Sequence, residues 1–408
     1  MLTVKDLHDL KGKVVYVRVD FNVPQKDGII RDNNRIKAAL PTIKELLEKG
    51  GRLVLMSHLG KIKWKDPDPS KIEAAKKANN MAPVAEELQK LLPEYKVSFV
   101  NATRGEALKE AVASLKDGEV LLAQNTRYEK GEEKNDPELA KDWAALADVY
   151  VMDAFGSAHR AHASTVGVPS ILKEEGKPVA LGYLMLKEVE NLTRCVEVKD
   201  EDRPYVAILG GLKVTDKIQV IDTLLKKCDY IIIGGAMSYT FRKAEGLEIG
   251  SSFLDEGALD YAKKCLEEAH GRIILPVDSV CTDSFEEKEG RKIITVEGDI
   301  PAGFEGVDIG PKSAERFAEI ISKAKMVFWN GPMGVFEQKE FQEGTKRVCE
   351  AIRDLNGKAF TVCGGGDSAS AVKQFGYKND FSHVSTGGGA SLEMIQNDGH
   401  LPGVDVLK

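Results

Sequence analysis

The feature that most constrains the fold is an alternation of short apolar segments with amphipathic helical segments along the whole chain. Val14–Val19 precedes the helical pattern Ile36–Lys49, and Tyr205–Leu209 precedes Ile218–Lys227. The apolar segments are rich in β-branched residues, which is typical of strands buried in parallel sheets. The alternation therefore predicts an α/β fold with helices on both faces of parallel sheets. The other predicted strands are Leu53–Met56, Val97–Val100, Val120–Ala123, Val149–Met152, Tyr230–Ile233, Ile273–Val277, Met326–Trp329, Ala359–Val362 and His383–Ser385.

The length of the chain predicts two domains, because 408 residues exceed one ordinary hydrophobic core. The best boundary lies around Gly182–Arg203, where the helical segment Leu184–Arg194 precedes a charged stretch that ends at Arg203. A helix that joins two domains allows hinge motion, although the pattern alone does not distinguish it from an ordinary crossover helix. We predict domains at residues 1–183 and 184–394, each a doubly wound parallel sheet that binds ligands beyond the carboxyl ends of its strands.

Composition limits the classes of partner. The net charge of −7 argues against a general nucleic-acid binder, and no apolar segment is long enough to span a membrane. The cysteines form no C-x-x-C pair, so neither a zinc site nor a disulfide framework is expected, and no signal segment is visible. We expect a cytoplasmic protein without nucleic-acid or membrane partners. The six cysteines are Cys195, Cys228, Cys265, Cys281, Cys349 and Cys363.

A glycine-rich loop follows one of the last predicted strands. After Ala359–Val362 come Gly364-Gly365-Gly366, then Asp367, Ser368 and small helix-forming residues. Glycines let the backbone approach a ligand closely, and the free N–H groups of a helix start attract phosphate. A carboxylate among those donors repels phosphate unless a divalent cation lies between them. The loop predicts a site for a nucleotide with Mg²⁺.

Two alternatives apply to this loop. Gly364, Gly366 and Ala369 also satisfy the relaxed dinucleotide fingerprint G-x-G-x-x-A, and tight strand-to-helix turns use glycine without any ligand. The dinucleotide interpretation needs an acidic residue about 20 positions further on. The segment Phe381–Gly389 contains none, which argues against NAD. The loop alone does not exclude a turn without a ligand.

The predicted strands of the two halves end in different residue types. Arginines and histidines converging at strand ends favour a small anionic ligand, whereas glycines favour a nucleotide's phosphates. The first half ends its strands in Arg18–Asn22, Ser57-His58, Asn125–Arg127 and Asp153–Arg160, with Arg35 at a helix start. The second half ends them in Gly210-Gly211, Gly234-Gly235, Gly364–Gly366 and Gly387–Gly389.

Lys213 and Lys217 are four residues apart and predict one face of a helix that begins directly beyond a strand. There they would place point charges on phosphate. Neither a P-loop nor a protein-kinase catalytic loop is present, and no general base is evident. Transfer between a carboxylate and a nucleoside diphosphate needs no base, since both nucleophiles are ionised at neutral pH. The residues therefore favour acyl-phosphate chemistry driven by positioning and charge neutralisation.

At this point the chain resembles the phosphoglycerate kinase family over essentially its whole length. In the first half the resemblance rests on Arg18–Pro24, Asn34–Ala39, Ser57–Gly60, Asn125–Tyr128 and Asp153–Thr165. In the second half it rests on Leu209–Lys217, Trp329–Glu337, Gly364–Ser368 and Ser385–Ser391. These motifs run in the family's order.

The resemblance implies two Rossmann-like doubly wound domains that face a cleft and are joined by a hinge helix. Residues 1–183 would bind phosphoglycerate, with the tail 395–408 packing back on them, and residues 184–394 would bind the nucleotide. It further implies reversible Mg²⁺-dependent phosphoryl transfer between 1,3-bisphosphoglycerate and ADP, giving 3-phosphoglycerate and ATP in glycolysis, by domain closure in a monomer.

The resemblance also assigns site residues. Substrate binding falls to Arg18, Asp20, Phe21, Asn22, Arg35, His58, Leu59, Gly60, Lys61, Arg127, His159 and Arg160. Nucleotide binding falls to Lys213, Lys217, Gly306, Glu337, Gly365, Gly366, Asp367 and Ser368, with Asp367 on the metal. The catalytic groups would be Arg35, Lys213 and Gly388.

The chain departs from the family pattern at two positions: Lys61 stands where arginine is usual, and Leu212 where a small residue is common. A non-catalytic protein that kept the fold is an alternative, but it would be expected to lose a charge at the transfer site, and none is lost. The charge-dense stretches Lys61–Lys77 and Glu129–Asp136 are predicted to be solvated surface loops.

Overall fold

The computed structural model describes residues 1–408. The chain divides into two compact units, residues 1–190 with 400–408 and residues 191–399, which we call unit 1 and unit 2. No helix is long and apolar enough to cross a membrane.

Unit 1 is built on a seven-stranded sheet in the order β1-β9-β8-β2-β5-β7-β6, in which every neighbouring pair is parallel. Its strands are β1 Leu2–Thr3, β2 Val14–Val19, β5 Arg52–Met56, β6 Val97–Val100, β7 Val120–Ala123, β8 Val149–Asp153 and β9 Val179–Leu181, and β3 Gln25–Lys26 pairs separately with β4 Ile29–Ile30. Its helices are α1 Asn34–Glu48, α2 Pro69–Ala78, α3 Ala82–Leu91, α4 Glu106–Ala113, α5 Pro137–Ala144 and α6 Val168–Glu174, and α7 Tyr183–Val196 contains the division between the units.

Both faces of this sheet are buried, which is why its strands are continuous apolar segments. Val15 and Val17 of β2 pack with Ile43 of α1 and Leu88 of α3 in one core cluster. On the opposite face Tyr16 lies stacked on the ring of Tyr150, 5.5 Å between centroids. Strand β2 is central, in register with both β5 and β8.

Unit 2 is built on a six-stranded parallel sheet in the order β12-β11-β10-β16-β17-β18 and a three-stranded antiparallel sheet in the order β14-β13-β15. The strands are β10 Tyr205–Leu209, β11 Tyr230–Ile233, β12 Ile273–Ile274, β13 Asp278–Thr282, β14 Ile293–Glu297, β15 Glu305–Ile309, β16 Met326–Asn330, β17 Phe360–Cys363 and β18 His383–Val384. The helices are α8 Ile218–Leu225, α9 Met237–Ala244, α10 Leu259–Ala269, α11 Pro311–Ser322, α12 Glu343–Arg353, α13 Gly366–Phe375 and α14 Gly389–Gln396.

The last residues return to unit 1. Helix α15, Pro402–Asp405, lies there, and the Gly403 N–H donates to the Ala158 carbonyl at 2.8 Å.

The prediction of an α/β fold with doubly wound parallel sheets is confirmed, with three local differences. The segment Ile273–Val277 was predicted to be one strand, but β12 ends at Ile274 because Pro276 supplies no N–H to a ladder. The antiparallel sheet β14-β13-β15 was not predicted. The loop prediction for Lys61–Lys77 was wrong over α2, a helix without a buried residue.

Candidate functional site

Four adjacent strands of unit 1, in the order β8-β2-β5-β7, end with the predicted polar residues. Arg18 is near the end of β2, His58 follows β5, Arg127 follows β7, and His159 with Arg160 follows β8. Because the strands are parallel, their carboxyl ends meet at one edge of the sheet. His159 is half-buried and Arg160 is exposed.

Arg18 and His58 form the buried part of this edge. The Arg18 guanidinium is fully buried and its Nη2 lies 3.1 Å from His58 Nδ1. A guanidinium has only donors, so Nδ1 accepts and the proton of the neutral ring lies on Nε2. Burial, helped by the positive charges of Arg18 and Arg127, holds the pKa of His58 well below its usual value. His58 is therefore a neutral hydrogen-bond donor.

The residues after β2 are ordered by short polar contacts. Arg35 Nη1 donates to both carboxylate oxygens of Asp20 at 3.1 Å, and the Arg35 side chain is 45 % exposed. The Gly60 N–H donates to Asn22 Oδ1 at 2.8 Å, and the Phe21 N–H donates to the Ser57 hydroxyl at 2.9 Å. A partly exposed ion pair contributes little stability, so breaking the contact between Arg35 and Asp20 would cost little.

Asn125, which was quoted in a motif but given no role, joins two of these strand ends. Its Oδ1 accepts from the N–H groups of Leu59 at 3.1 Å and Arg127 at 3.0 Å. Its Nδ2 donates to the Leu59 carbonyl at 2.7 Å. The side chain therefore fixes the backbone after β5 relative to the backbone after β7.

Arg127 contacts the stretches that were predicted to be plain surface. Its Nη1 donates to the Gly60 carbonyl at 2.6 Å, and its Nε lies 3.0 Å from Glu133 Oε1. Trp64 Nε1 donates to the Arg127 carbonyl at 3.0 Å. Burial lowers the pKa of Arg127, although the group remains cationic. A cavity of about 830 Å³ adjoins it, lined also by the exposed Lys61.

In unit 2 the glycine-rich loop between β17 and α13 is packed against a buried asparagine. Gly365 has φ +104°, and a Cβ there would lie 2.6 Å from Asn330 Nδ2. Asn330 Nδ2 donates to the Gly364 carbonyl at 2.9 Å, and Ser368 Oγ accepts from the Gly331 N–H at 2.6 Å. Only glycine fits the loop at Gly365, for both backbone and steric reasons.

Asn330 also holds Lys217, whose Nζ donates to Asn330 Oδ1 at 2.5 Å. Burial lowers the pKa of Lys217 to about 8, against smaller opposing effects of Asp216 and Asp367. One asparagine thus links the lysine to the loop after β17. The Trp329–Glu337 motif contained this residue, but nothing in the pattern gave its role.

The prediction of Lys213 and Lys217 on one helical face was wrong. Helix α8 begins only at Ile218, and Lys213 lies in the exposed turn before it. The N–H and hydroxyl of Thr215 both contact Asp255 Oδ2, which holds residues 215–217 in a short 3-10 turn.

Asp367 lies exposed in the first turn of α13, after Gly366. No cluster of three or more carboxylate, histidine or cysteine groups able to hold a metal exists in the chain. A single carboxylate fits Mg²⁺ that takes its remaining ligands from substrate phosphates and water. Gly388, with φ +52°, immediately precedes α14 after strand β18, as Gly365 immediately precedes α13 after β17.

Gly306 and Glu337, two of the residues that the resemblance assigns to nucleotide binding, lie near each other. Gly306 is in β15, and a Cβ on it would lie 2.1 Å from the Tyr239 hydroxyl. The Val335 N–H donates to the Val307 carbonyl at 2.8 Å, which brings the segment carrying the exposed Glu337 beside Gly306.

A cationic edge on one parallel sheet and glycine loops with a lysine on another define an α/β enzyme that handles phosphorylated ligands. Comparison with known proteins narrows this class. The model of the phosphoglycerate kinase family matches residues 4–398, and the chain belongs to that family. Members are phosphotransferases with a carboxyl group as acceptor.

Curated relatives and solved structures agree with this assignment. The chain is 52% identical over 405 residues to phosphoglycerate kinase of Staphylococcus saprophyticus, covering 98% of this chain and 97% of that one. It is 50% identical over 407 residues to that of Fervidobacterium nodosum, covering 99% and 97%. The phosphoglycerate kinase structure from Coxiella burnetii is 35% identical, with a TM-score of 0.85, over 100% of this chain and 98% of that one.

Proposed function

We propose that the protein catalyses reversible Mg²⁺-dependent phosphoryl transfer between 1,3-bisphosphoglycerate and ADP, giving 3-phosphoglycerate and ATP in glycolysis. The observation that carries this proposal is the buried contact of 3.1 Å between Arg18 Nη2 and His58 Nδ1, and burial also holds the pKa of His58 well below its usual value. The histidine at the centre of the cationic edge therefore donates hydrogen bonds and takes no proton. Such a site suits a reaction whose nucleophiles are already ionised.

Unit 1 would bind the phosphoglycerate. Arg127, His58 and the exposed Arg160 would hold its anionic groups, with Arg18 and His159 in support. Asp20 would accept a hydrogen bond from the hydroxyl of the substrate. Its carboxylate would repel the phosphate and carboxylate groups of the substrate and would not bind them directly. The substrate-binding set we propose is Arg18, Asp20, Phe21, Asn22, Arg35, His58, Leu59, Gly60, Lys61, Arg127, His159 and Arg160.

Unit 2 would bind the nucleotide. Lys217, held by Asn330, would contact its phosphates together with the backbone of Gly365 and Gly366 and the hydroxyl of Ser368. Gly306 and Glu337 would line the adenosine pocket. Asp367 would hold Mg²⁺, which when bound neutralises phosphate charge and orients the phosphates.

Transfer would depend on position and charge. The reacting oxygen and phosphorus must approach to about 3–3.5 Å, and we propose that domain closure, permitted by α7, achieves this. Arg35 and Lys213 would then neutralise charge on the transferring phosphoryl group, and the backbone at Gly388 would donate to it. We further propose that the enzyme acts as a cytoplasmic monomer.

A coupled assay tests the proposal. Purified protein with Mg²⁺ and ATP should consume ATP only when 3-phosphoglycerate is present, and chelation of Mg²⁺ should stop turnover. Asp367→Asn should lower turnover by about 10²–10³, the usual cost of one charge-stabilising group. Asp260→Asn is the matched control, since Asp260 is an exposed carboxylate in the first turn of α10, and it should leave turnover unchanged.

Absence of ATP consumption would support the non-catalytic alternative and contradict the proposal. Turnover that survives both chelation and Asp367→Asn would show the reaction to proceed without the proposed metal site.

A further inference from the structure

A buried glutamate lies behind the cationic edge of unit 1. Glu132 is fully buried although it belongs to the charge-dense stretch Glu129–Asp136. Its Oε1 accepts from the Ser164 N–H at 2.8 Å, and its Oε2 accepts from the Ser164 hydroxyl at 2.7 Å. A buried carboxylate is costly unless its oxygens are hydrogen-bonded and its charge is compensated.

Arg18 supplies the compensating positive charge, and the Ser164 hydroxyl connects it to Glu132. Ser164 Oγ accepts from Arg18 Nε at 2.8 Å while donating to Glu132. The hydroxyl therefore bridges a buried cation and a buried anion that are both fully removed from solvent. Arg18 Nη2 continues the chain to His58 Nδ1 at 3.1 Å. The four side chains form one line of hydrogen bonds from Glu132 to the ring of His58.

Each link in this line has its direction fixed. The guanidinium has only donors, so Ser164 Oγ accepts from it and must use its single proton on Glu132. The guanidinium plane, held additionally by the Val19 carbonyl at 2.6 Å, directs another N–H at His58. This N–H selects the His58 tautomer that carries its proton on Nε2. In a low-dielectric interior such linked bonds strengthen one another.

We propose that Glu132 is a positioning residue that acts through the Ser164 hydroxyl to fix Arg18 and, through Arg18, the tautomer and ring orientation of His58. The effect of this positioning on the binding of phosphoglycerate rests on the proposed function. Glu132 is fully buried and is not among the residues proposed to contact a ligand, so it is not a catalytic residue.

Glu132→Gln tests the line without changing side-chain size. Glutamine has one acceptor oxygen where glutamate has two, so one of the two Ser164 donors loses its acceptor and the charge opposite Arg18 disappears. Ser164→Ala breaks the line at its second link and keeps the carboxylate. Glu138→Gln, an exposed residue in the first turn of α5, is the control with the same change of charge.

The first readout is the ¹⁵N NMR spectrum of the His58 ring, without any ligand. The parent protein and Glu138→Gln should show the Nε2-protonated tautomer, and Glu132→Gln and Ser164→Ala should show a mixture of both tautomers. A purely structural role for Glu132 predicts lower thermal stability with an unchanged tautomer. An unchanged His58 spectrum in a folded Ser164→Ala protein would overturn the proposal even if Glu132→Gln does not fold.

The second readout is calorimetric binding of 3-phosphoglycerate and of ADP. Both variants should weaken 3-phosphoglycerate binding by about tenfold and leave ADP binding within about twofold. The double variant should be no weaker than the single ones, because both break the same line. Additive losses would contradict the proposed connection. If the tautomer changes while the parent binds no 3-phosphoglycerate, the line stands and the proposed function fails.

Discussion

At the residue scale, the charge of Lys217 depends on its surroundings. Its pKa is lowered to about 8 chiefly by burial, so the free protein loses this cation as the pH rises through that value. Bound phosphates favour the ammonium form and raise the pKa again. We therefore predict that the protein takes up a proton when it binds metal-free ADP above pH 8. In that range the Kd for ADP should increase by up to about tenfold for each pH unit.

Calorimetry in buffers of different ionisation enthalpy measures this proton uptake. Lys217→Arg is the matched variant, because arginine keeps its charge over the whole range, and its ADP affinity should be independent of pH between 7 and 10. A parent protein whose profile is as flat as that of Lys217→Arg would contradict the account of Lys217.

The lowered pKa of Lys217 also makes the stability of the folded protein depend on pH. Between pH 8 and the usual lysine pKa, the unfolded chain holds a proton that the folded one has lost. Stability therefore rises with pH in that window through this group.

The sequence predicted which residue types stand at the strand ends, but it did not predict which side chains contact them. Arg18, His58 and Arg127 could be recognised because arginines and a histidine gather at the carboxyl ends of apolar strands. Glu132 and Glu133 were missed, because a glutamate in a charged stretch is typical of solvated surface. Only tertiary contacts with Ser164 and Arg127 distinguish them.

At the element scale, the turn from β17 into α13 depends on a glycine in two ways. Gly365 has a positive φ, and a Cβ there would meet Asn330, which holds Lys217. We predict that Gly365→Ala costs about 1–3 kcal/mol of stability through backbone strain and also weakens ADP binding by displacing Asn330.

Gly376→Ala separates the two effects. Gly376 ends the same helix with φ +80°, and a Cβ there meets nothing within 4 Å. Its alanine variant should lose similar stability in thermal unfolding but keep the parent's ADP affinity. Equal ADP affinities for the two variants would show that the contact with Asn330 does not matter.

The sequence predicted long elements well and short ones poorly. Buried parallel strands such as β2 and β10 were evident because both faces are apolar. The antiparallel β14 was missed, since its alternating exposed and half-buried residues carry a weak signal. The predicted helix Ile218–Lys227 begins where α8 does, but the helical face for Lys213 and Lys217 was wrong because the side chain of Asp255, distant in sequence, holds the preceding turn.

At the scale of the whole molecule, the sequence gives the order of the elements along the chain but not their order in a sheet. The cationic edge exists because β8 lies beside β2, although more than a hundred residues separate them. The division of the chain into two units likewise rests on contacts, and the assignment of one substrate to each unit stays a prediction.

That assignment is the central claim, and binding calorimetry on two single variants tests it most directly. Arg127→Gln changes unit 1 and Lys217→Gln changes unit 2, and each is titrated separately with 3-phosphoglycerate and with ADP. We predict that Arg127→Gln weakens 3-phosphoglycerate binding by at least about tenfold and leaves ADP within about twofold, with the reverse for Lys217→Gln. Variants that weaken both ligands alike, or that show the opposite pattern, would contradict the division of the two substrates between the two units.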